Sequence, residues 1–198
     1  MLTKLVVATT NPGKLREIEP LLRGAPVELT TLAAFPPSDP PEENGKTFAE
    51  NARIKALYYA ARTGELTVAE DSGLEIDALD GAPGVESARY GGDKASYPEK
   101  FALIYRAFAE RGVSSSAAHF VCTVAVARDG RILFETRGVV EGTIAPQPRG
   151  TGGFGYDPIF FYPPFGCTLA EAGDMKAAVS HRGEAMKKLK EFLIERGA

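Results

Sequence analysis

The chain predicts an α/β fold with a mixed sheet, on three observations. Helical and extended patterns alternate through the first half, and a long antiparallel hairpin around Asp129-Gly130 follows. The length of 198 residues, with 44% hydrophobic and 25% charged residues, suits one globular domain spanning residues 1–198. The hairpin argues against a purely parallel doubly wound sheet.

Residues 5–9 are rich in β-formers and stop at Asn11-Pro12-Gly13-Lys14. Asn11 as N-cap and Pro12 at the first helical position open a helix to about Arg23, which Gly24 ends. A second strand is expected over residues 27–31. The proline-rich stretch 35–45 suits a surface loop within the domain. Thr47 and Glu50 form a capping box for a long helix to about Thr63, with Phe48, Ala52, Ala56 (or Leu57) and Ala60 along one face. A short strand over 66–69 is expected to end at Glu70-Asp71-Ser72-Gly73, with another extended piece at 74–76. Ser96 and Glu99 make a second capping box for a helix through Arg111. Residues 119–127 and 131–142 are the hairpin arms. A glycine- and aromatic-rich loop covers 150–158, a strand 159–161, and a final helix runs from Ser180 to about Arg196.

Composition excludes several functions. With 23 basic and 26 acidic residues the net charge is −3, unsuited to wrapping a nucleic acid polymer or coating an anionic membrane. Two cysteines (Cys122, Cys167) and two histidines (His119, His181) leave too few soft ligands for zinc or copper, so any metal is expected to be hard and oxygen-bound. The apolar run at the start is shorter than a signal segment, no stretch reaches the roughly 20 apolar residues of a membrane span, and a cytoplasmic location is expected.

Two motifs mislead. Gly150-Thr151-Gly152-Gly153-Phe154-Gly155 fits a dinucleotide fingerprint by letter, but an extended, proline-broken segment follows where that site needs a helix. Gly45-Lys46-Thr47 resembles the tail of a P-loop, but Pro40 stands where its first glycine belongs.

Three constellations remain. Thr9-Thr10-Asn11-Pro12-Gly13-Lys14 turns a strand into a helix and gathers hydroxyls, backbone N–H groups, a helix N-terminus and a lysine, the means of holding a phosphate. Glu42-Glu43 in a loop and Glu70-Asp71 at a strand end supply carboxylates of the kind Mg²⁺ shares with substrate phosphates. In the 150–157 loop, glycines allow close approach while Phe154 and Tyr156 offer faces for a base, with Lys176, His181 and Arg182 as donors further on. Arg89 suits a phosphate or a neighbouring carboxylate equally. His119 reads as structural and the cysteines as packed thiols. No Ser/His/Asp triad can be assembled.

Taken in order, these residues resemble the inosine triphosphate pyrophosphatase family, the Ham1-like nucleotidases. The blocks are residues 8–14 with Glu17; Glu43-Asn44-Gly45 with Thr47-Phe48 and Asn51-Ala52; Glu70-Asp71-Ser72-Gly73-Leu74; Gly81-Ala82-Pro83-Gly84 with Ser87-Ala88-Arg89-Tyr90; residues 150–160; and Lys176 with Ser180-His181-Arg182-Gly183. Maf-type pyrophosphatases share that fold but open on a serine- and arginine-based motif. The resemblance implies an elongated mixed β-sheet flanked by helices, two lobes with a nucleotide cleft between them, and a homodimer. It implies Mg²⁺-dependent hydrolysis of ITP, dITP and XTP between the α and β phosphates. Glu70 stands where some members carry a second aspartate.

By the same resemblance Glu43 and Asp71 would hold Mg²⁺, with Asp71 also orienting the attacking water. Thr9, Thr10, Asn11, Pro12, Gly13, Lys14 and Lys55 would bind phosphates, together with Ser72. Phe154 would stack on the base, while Gly155, Tyr156, Asp157, Lys176, His181 and Arg182 complete its pocket. Lys176, Arg182 and the loop backbone would donate to the 6-oxo group. Two other readings stay open: a related pyrophosphatase of other modified nucleotides, and a nucleotide-binding module without turnover.

Overall fold

The structure, a computed structural model, describes residues 2–197, without the side chains of residues 177 and 178. Seven strands form one mixed sheet in the order β2-β1-β3-β4-β5-β6-β7. They are β1 (Thr3–Val7), β2 (Val27–Thr31), β3 (Leu66–Ile76), β4 (Ala117–Arg128), β5 (Arg131–Ile144), β6 (Phe160–Tyr162) and β7 (Cys167–Thr168). Strand β1 is parallel to β2 and to β3, with Leu5 opposite Leu66 and Val7 opposite Val68. Strands β5, β6 and β7 pair antiparallel. The helices are α1 (Pro12–Leu21), α2 (Phe48–Thr63), α3 (Tyr97–Glu110) and α4 (His181–Arg196). No helix among the described residues is long and apolar enough to cross a membrane.

The chain divides into two compact units, the first of Met1–Ser72, Cys122–Gly138 and His181–Ala198, the second of Gly73–Val121 and Val139–Ser180. In the first, the two-residue period of the strands sorts side chains onto two covered faces. Leu5, Val7, Val68, Cys122, Val124 and Val126 face α1 and α4, meeting Ile18, Leu22, Met186, Leu189 and Leu193. Ala8, Ala69, Ala125 and Ala127 face the other way, against Ala52, Ala56 and Ala60 of α2. Small residues on both surfaces let α2 lie close to the sheet. Helix α2 carries its expected capping box and ends at Gly64 with φ 69°. Helix α1 ends at Leu21, two residues short of the sequence expectation, with Pro20 in its last turn.

Gly138 on β5 secures the other face. A Cβ there would sit 2.1 Å from the His181 carbonyl oxygen and 2.7 Å from the Ala185 nitrogen, so only glycine lets the first turn of α4 approach. The obstacle is helix backbone, which cannot rotate away. Gly138→Ala is expected to cost at least about 2 kcal/mol of stability, read as an earlier midpoint in urea denaturation.

In the second unit, Leu74 and Ile76 of β3 pack with Phe101, Ile104 and Phe108 of α3 and with Phe120, which stacks on Phe160 at 4.3 Å between centroids. Helix α3 starts from the expected Ser96/Glu99 box.

The expected turn at residues 70–73 is absent, and β3 runs unbroken for 11 residues. Two physical reasons account for this. Glu70 and Asp71 are buried among cationic partners, so a strand can carry them. Gly73 serves a close approach instead of a turn: its Cβ would lie 2.3 Å from Ser87 Oγ, which accepts from the Leu74 N–H at 2.9 Å.

Candidate active site

The first unit concentrates its charged, buried groups just past the carboxyl end of β1, alongside the middle of the longer β3. Strand β1 stops at Val7 while β3 continues past Val68, and the Ala8 N–H still bonds the Val68 carbonyl at 2.8 Å. The chain then leaves through residues 9–14 into α1, beside the extra length of β3. Because neighbours on a strand point to opposite faces, Glu70 and Asp71 organise two different groups.

Asp71 lies on the α2 face. Its Oδ1 accepts from Lys55 Nζ at 2.8 Å and its Oδ2 from Asn51 Nδ2 at 3.2 Å. Glu43 Oε2 reaches the same Lys55 ammonium at 2.9 Å. A carboxylate from the proline-rich loop and one from the sheet thus converge on one cation, while Glu42 is exposed. Burial tends to discharge Lys55, but Asp71 and Glu43 together overrule it and hold its ammonium more firmly charged. Asp71 is less well compensated. Its burial, with the nearby Glu43 charge, outweighs Lys55 and the weaker pull of Lys14, and its carboxyl is pushed up.

Glu70 lies on the α1/α4 face. Its Oε1 meets Lys14 Nζ at 2.8 Å and Arg182 Nη2 at 3.4 Å, and its Oε2 accepts from Cys122 Sγ at 3.3 Å. Arg182 also donates to Glu17, and to Ser72 Oγ at 3.1 Å. Burial works against the charge on Glu70, yet Lys14 and Arg182 prevail and hold it well below the usual carboxylate range. The same burial and the neighbouring Glu70 push the Cys122 thiol up, which keeps it unreactive.

Two of the expected donor groups carry internal partners. Arg182 is 1% exposed with its Nη atoms on Glu17, Glu70 and Ser72, and its buried Nε has no hydrogen-bond partner among the described residues. The N–H groups of the 9–14 turn are largely used within it. Asn11 Oδ1 accepts from Gly13 at 2.8 Å and Lys14 at 3.3 Å, the Asn11 N–H goes to Thr9 Oγ1 at 3.2 Å, that of Thr9 to the Val7 carbonyl, and Pro12 has none. What the turn offers an anion is the Thr10 N–H, the hydroxyls, the α1 N-terminus and Lys14.

The second unit holds the other expected residues. Asp157, 4% exposed, is ion-paired with Lys176 and accepts from the Phe154 N–H at 2.7 Å. Lys176 Nζ lies 4.8 Å from the centre of the Phe154 ring, which is 47% exposed and free to stack. Tyr156 is buried, donates to the Ser87 carbonyl at 2.8 Å and packs edge-on against Tyr97, so it supports the loop and offers no open face. Gly153, at φ 71°, could carry no Cβ, which would lie 2.1 Å from Asp157 Oδ2. Gly155 also holds a positive φ, 68°. His181 is half-buried in the first turn of α4, in the first unit. Arg89 chelates Glu86, at 3.1 and 3.2 Å, and His119 Nε2 meets Asp77 at 3.0 Å.

Sequence reasoning assigned no role to Asn51, which holds Asp71 and also accepts from the Gly45 N–H at 2.8 Å. Its spacing carried the signal, since Asn51 stands one helical turn before Lys55 and shares its face. Lys100 was also missed. It is 3% exposed, donates to the Ser87 and Ala88 carbonyls, and burial pushes its ammonium down.

Carboxylates and lysines gathered just past the carboxyl end of β1 stand where open parallel α/β sheets characteristically bind their ligands. The chain belongs to the Ham1 family, whose sequence model matches residues 5–192. It is 48% identical over 193 residues to a dITP/XTP pyrophosphatase of Geobacter sulfurreducens, covering 97% of each chain. It is 44% identical over 192 residues to the dITP/XTP pyrophosphatase of an Exiguobacterium species, covering 96% of this chain and 97% of that one. The solved structure of a HAM1 protein from Coxiella burnetii superposes with a TM-score of 0.89 at 40% identity, covering 98% of this chain and all of that one, 100%.

Proposed function

We propose that this chain hydrolyses deaminated purine nucleoside triphosphates, ITP, dITP and XTP, between the α and β phosphates, releasing the monophosphate and pyrophosphate. Support comes from the relatives named dITP/XTP pyrophosphatase and from one observation above all. Glu43 and Asp71, 28 residues apart in sequence, both bond the Lys55 ammonium.

That convergence is also the test for Mg²⁺. The donors are all carboxylate oxygens, and they already share one positive charge, so a hard cation fits them. No cluster of three or more His, Cys, Asp or Glu ligands occurs among the described residues, so a divalent ion would take its other ligands from water and phosphate. Bound by Glu43 and Asp71, Mg²⁺ would neutralise charge on the triphosphate.

The chain's own groups supply the rest. Lys14 and Lys55 bring positive charge to the phosphates, aided by the N-terminus of α1. Asp71 orients a water in line with the α-phosphorus, its carboxylate fixed by Asn51 and Lys55. In the second unit, Phe154 stacks on the purine and Lys176 donates to its 6-oxo group. Adenine presents an amino donor there, and a mismatch of buried polar groups discriminates by roughly 10⁴-fold. Gly153→Ala is expected to raise KM more than it lowers kcat, because it displaces Asp157 and with it Phe154 and Lys176; an unchanged KM would remove this loop from base binding.

The expected setting is a cytoplasmic nucleotide pool and the expected assembly a homodimer, checked by analytical ultracentrifugation. Pyrophosphate release with Mg²⁺ from a panel of ITP, XTP, dTTP, ATP and GTP tests the function. Preference for ITP and XTP supports it, preference for dTTP transfers the chain to a related pyrophosphatase, and release from none makes it a binding module.

A further inference from the structure

The second unit keeps an ammonium where three physical effects oppose one. Lys100 is buried, and it has no carboxylate partner among the described residues. It also stands only four residues past the cap Ser96, near the positive end of α3. Burial pushes its ammonium down with nothing to offset it. An unbranched apolar side chain would escape all three effects, so stability does not explain a lysine here.

Its contacts do. Lys100 Nζ donates to the Ala88 carbonyl and, at 3.4 Å, to that of Ser87, and lies 4.9 Å from the centre of the Tyr97 ring. Ser87 is anchored to the sheet, because its hydroxyl accepts from the Leu74 N–H and donates to the Gly84 carbonyl at 2.6 Å. The same Ser87 carbonyl takes the Tyr156 hydroxyl at 2.8 Å. Tyr97 meets Tyr156 edge-on with ring centres 5.4 Å apart. A Cβ on Gly155 would lie 3.6 Å from the Tyr97 hydroxyl, so Tyr97 also backs the loop at the residue after Phe154. One buried cation therefore touches both supports of Tyr156, the Ser87 carbonyl and the Tyr97 ring.

We propose that Lys100 is a positioning residue: by tying the Ser87 and Ala88 carbonyls to the Tyr97 face it sets Tyr156, and through the 150–157 loop the exposed Phe154, for purine binding. The consequence for purine binding rests on the reading of Phe154 given above. The hold of Lys100 on the loop does not.

Lys100→Met keeps an unbranched apolar stem and removes the donors; Lys100→Gln keeps a neutral donor and carries the same comparison should the first variant not fold. Amide hydrogen exchange of the full chain without nucleotide, read by mass spectrometry, is the first measurement. Exchange over residues 150–157, where the Phe154 N–H is bonded to Asp157, is expected to be at least about tenfold faster in Lys100→Met, while that of β4 stays as in wild type. Lys100→Gln should fall between the two. With ITP, KM is expected to rise at least about tenfold in Lys100→Met and kcat to stay within about twofold, because the attacking water is held in the other unit. Equal loop exchange in all three proteins, faster exchange in β4 as well, or a loss in kcat at unchanged KM would each overturn the assignment. A wild type that releases no pyrophosphate from ITP would remove the reaction instead, and loop exchange would still decide whether Lys100 holds the loop.

Discussion

Asp71→Asn is expected to lower kcat for ITP at least about 10³-fold while leaving the thermal midpoint no lower than that of wild type. The two halves share one cause. Burial raises the Asp71 carboxyl above its ordinary value, so its ionised form opposes folding at neutral pH. The sign is that of any carboxylate raised by folding: its contribution is most favourable at low pH and declines as pH rises through the folded value. Asparagine keeps the shape and the bond from Asn51, drops the charge, and leaves Lys55 paired with Glu43. A charge retained against stability is what a working site requires. Near-normal turnover in the variant would remove Asp71 from the chemistry. Lost turnover with a collapsed midpoint would make it structural.

Its neighbour should behave in the opposite way. Glu70→Gln is expected to cost about 3 kcal/mol, lowering the thermal midpoint by roughly 6–12 °C. The substitution leaves the buried Arg182 with Glu17 as its remaining carboxylate and Lys14 with none. Because Glu70 is held well below its ordinary value in the fold, its stabilisation is present above the unfolded carboxylate value, about 4.3, and fades as pH falls through the folded one. The gap between variant and wild type should therefore be full at pH 7 and begin to close only in acid. A midpoint within about 2 °C of wild type, about 0.5–1 kcal/mol for a chain of this size, would show that the Lys14–Glu70–Arg182 group is not a stability element. Two adjacent acidic residues thus meet different partners, Asp71 on the α2 face and Glu70 on the α1 and α4 face.

What the sequence conveyed and what it withheld follow from the range of the forces involved. Capping boxes at Thr47/Glu50 and Ser96/Glu99 are local hydrogen-bond patterns, and both helices start where those patterns place them. The Asp129-Gly130 turn likewise predicted the β4–β5 hairpin. The continuity of β3 was not legible, because Glu70-Asp71-Ser72-Gly73 looks like a turn until Lys14, Lys55 and Arg182 arrive from elsewhere in the chain. Glu43 could not be told from Glu42 by spacing; the reach to Lys55 separates them. The burial of Arg182 was not legible either, because it depends on Glu17 and Glu70, 165 and 112 residues away. Gly138, tight against α4, lies in no motif at all.

The most direct test is ITP hydrolysis in ¹⁸O-labelled water with the products resolved by mass spectrometry. Attack of an Asp71-oriented water on the α-phosphorus predicts one labelled oxygen in inosine monophosphate and unlabelled pyrophosphate. Label in the pyrophosphate, or release of labelled orthophosphate with inosine diphosphate, would contradict it.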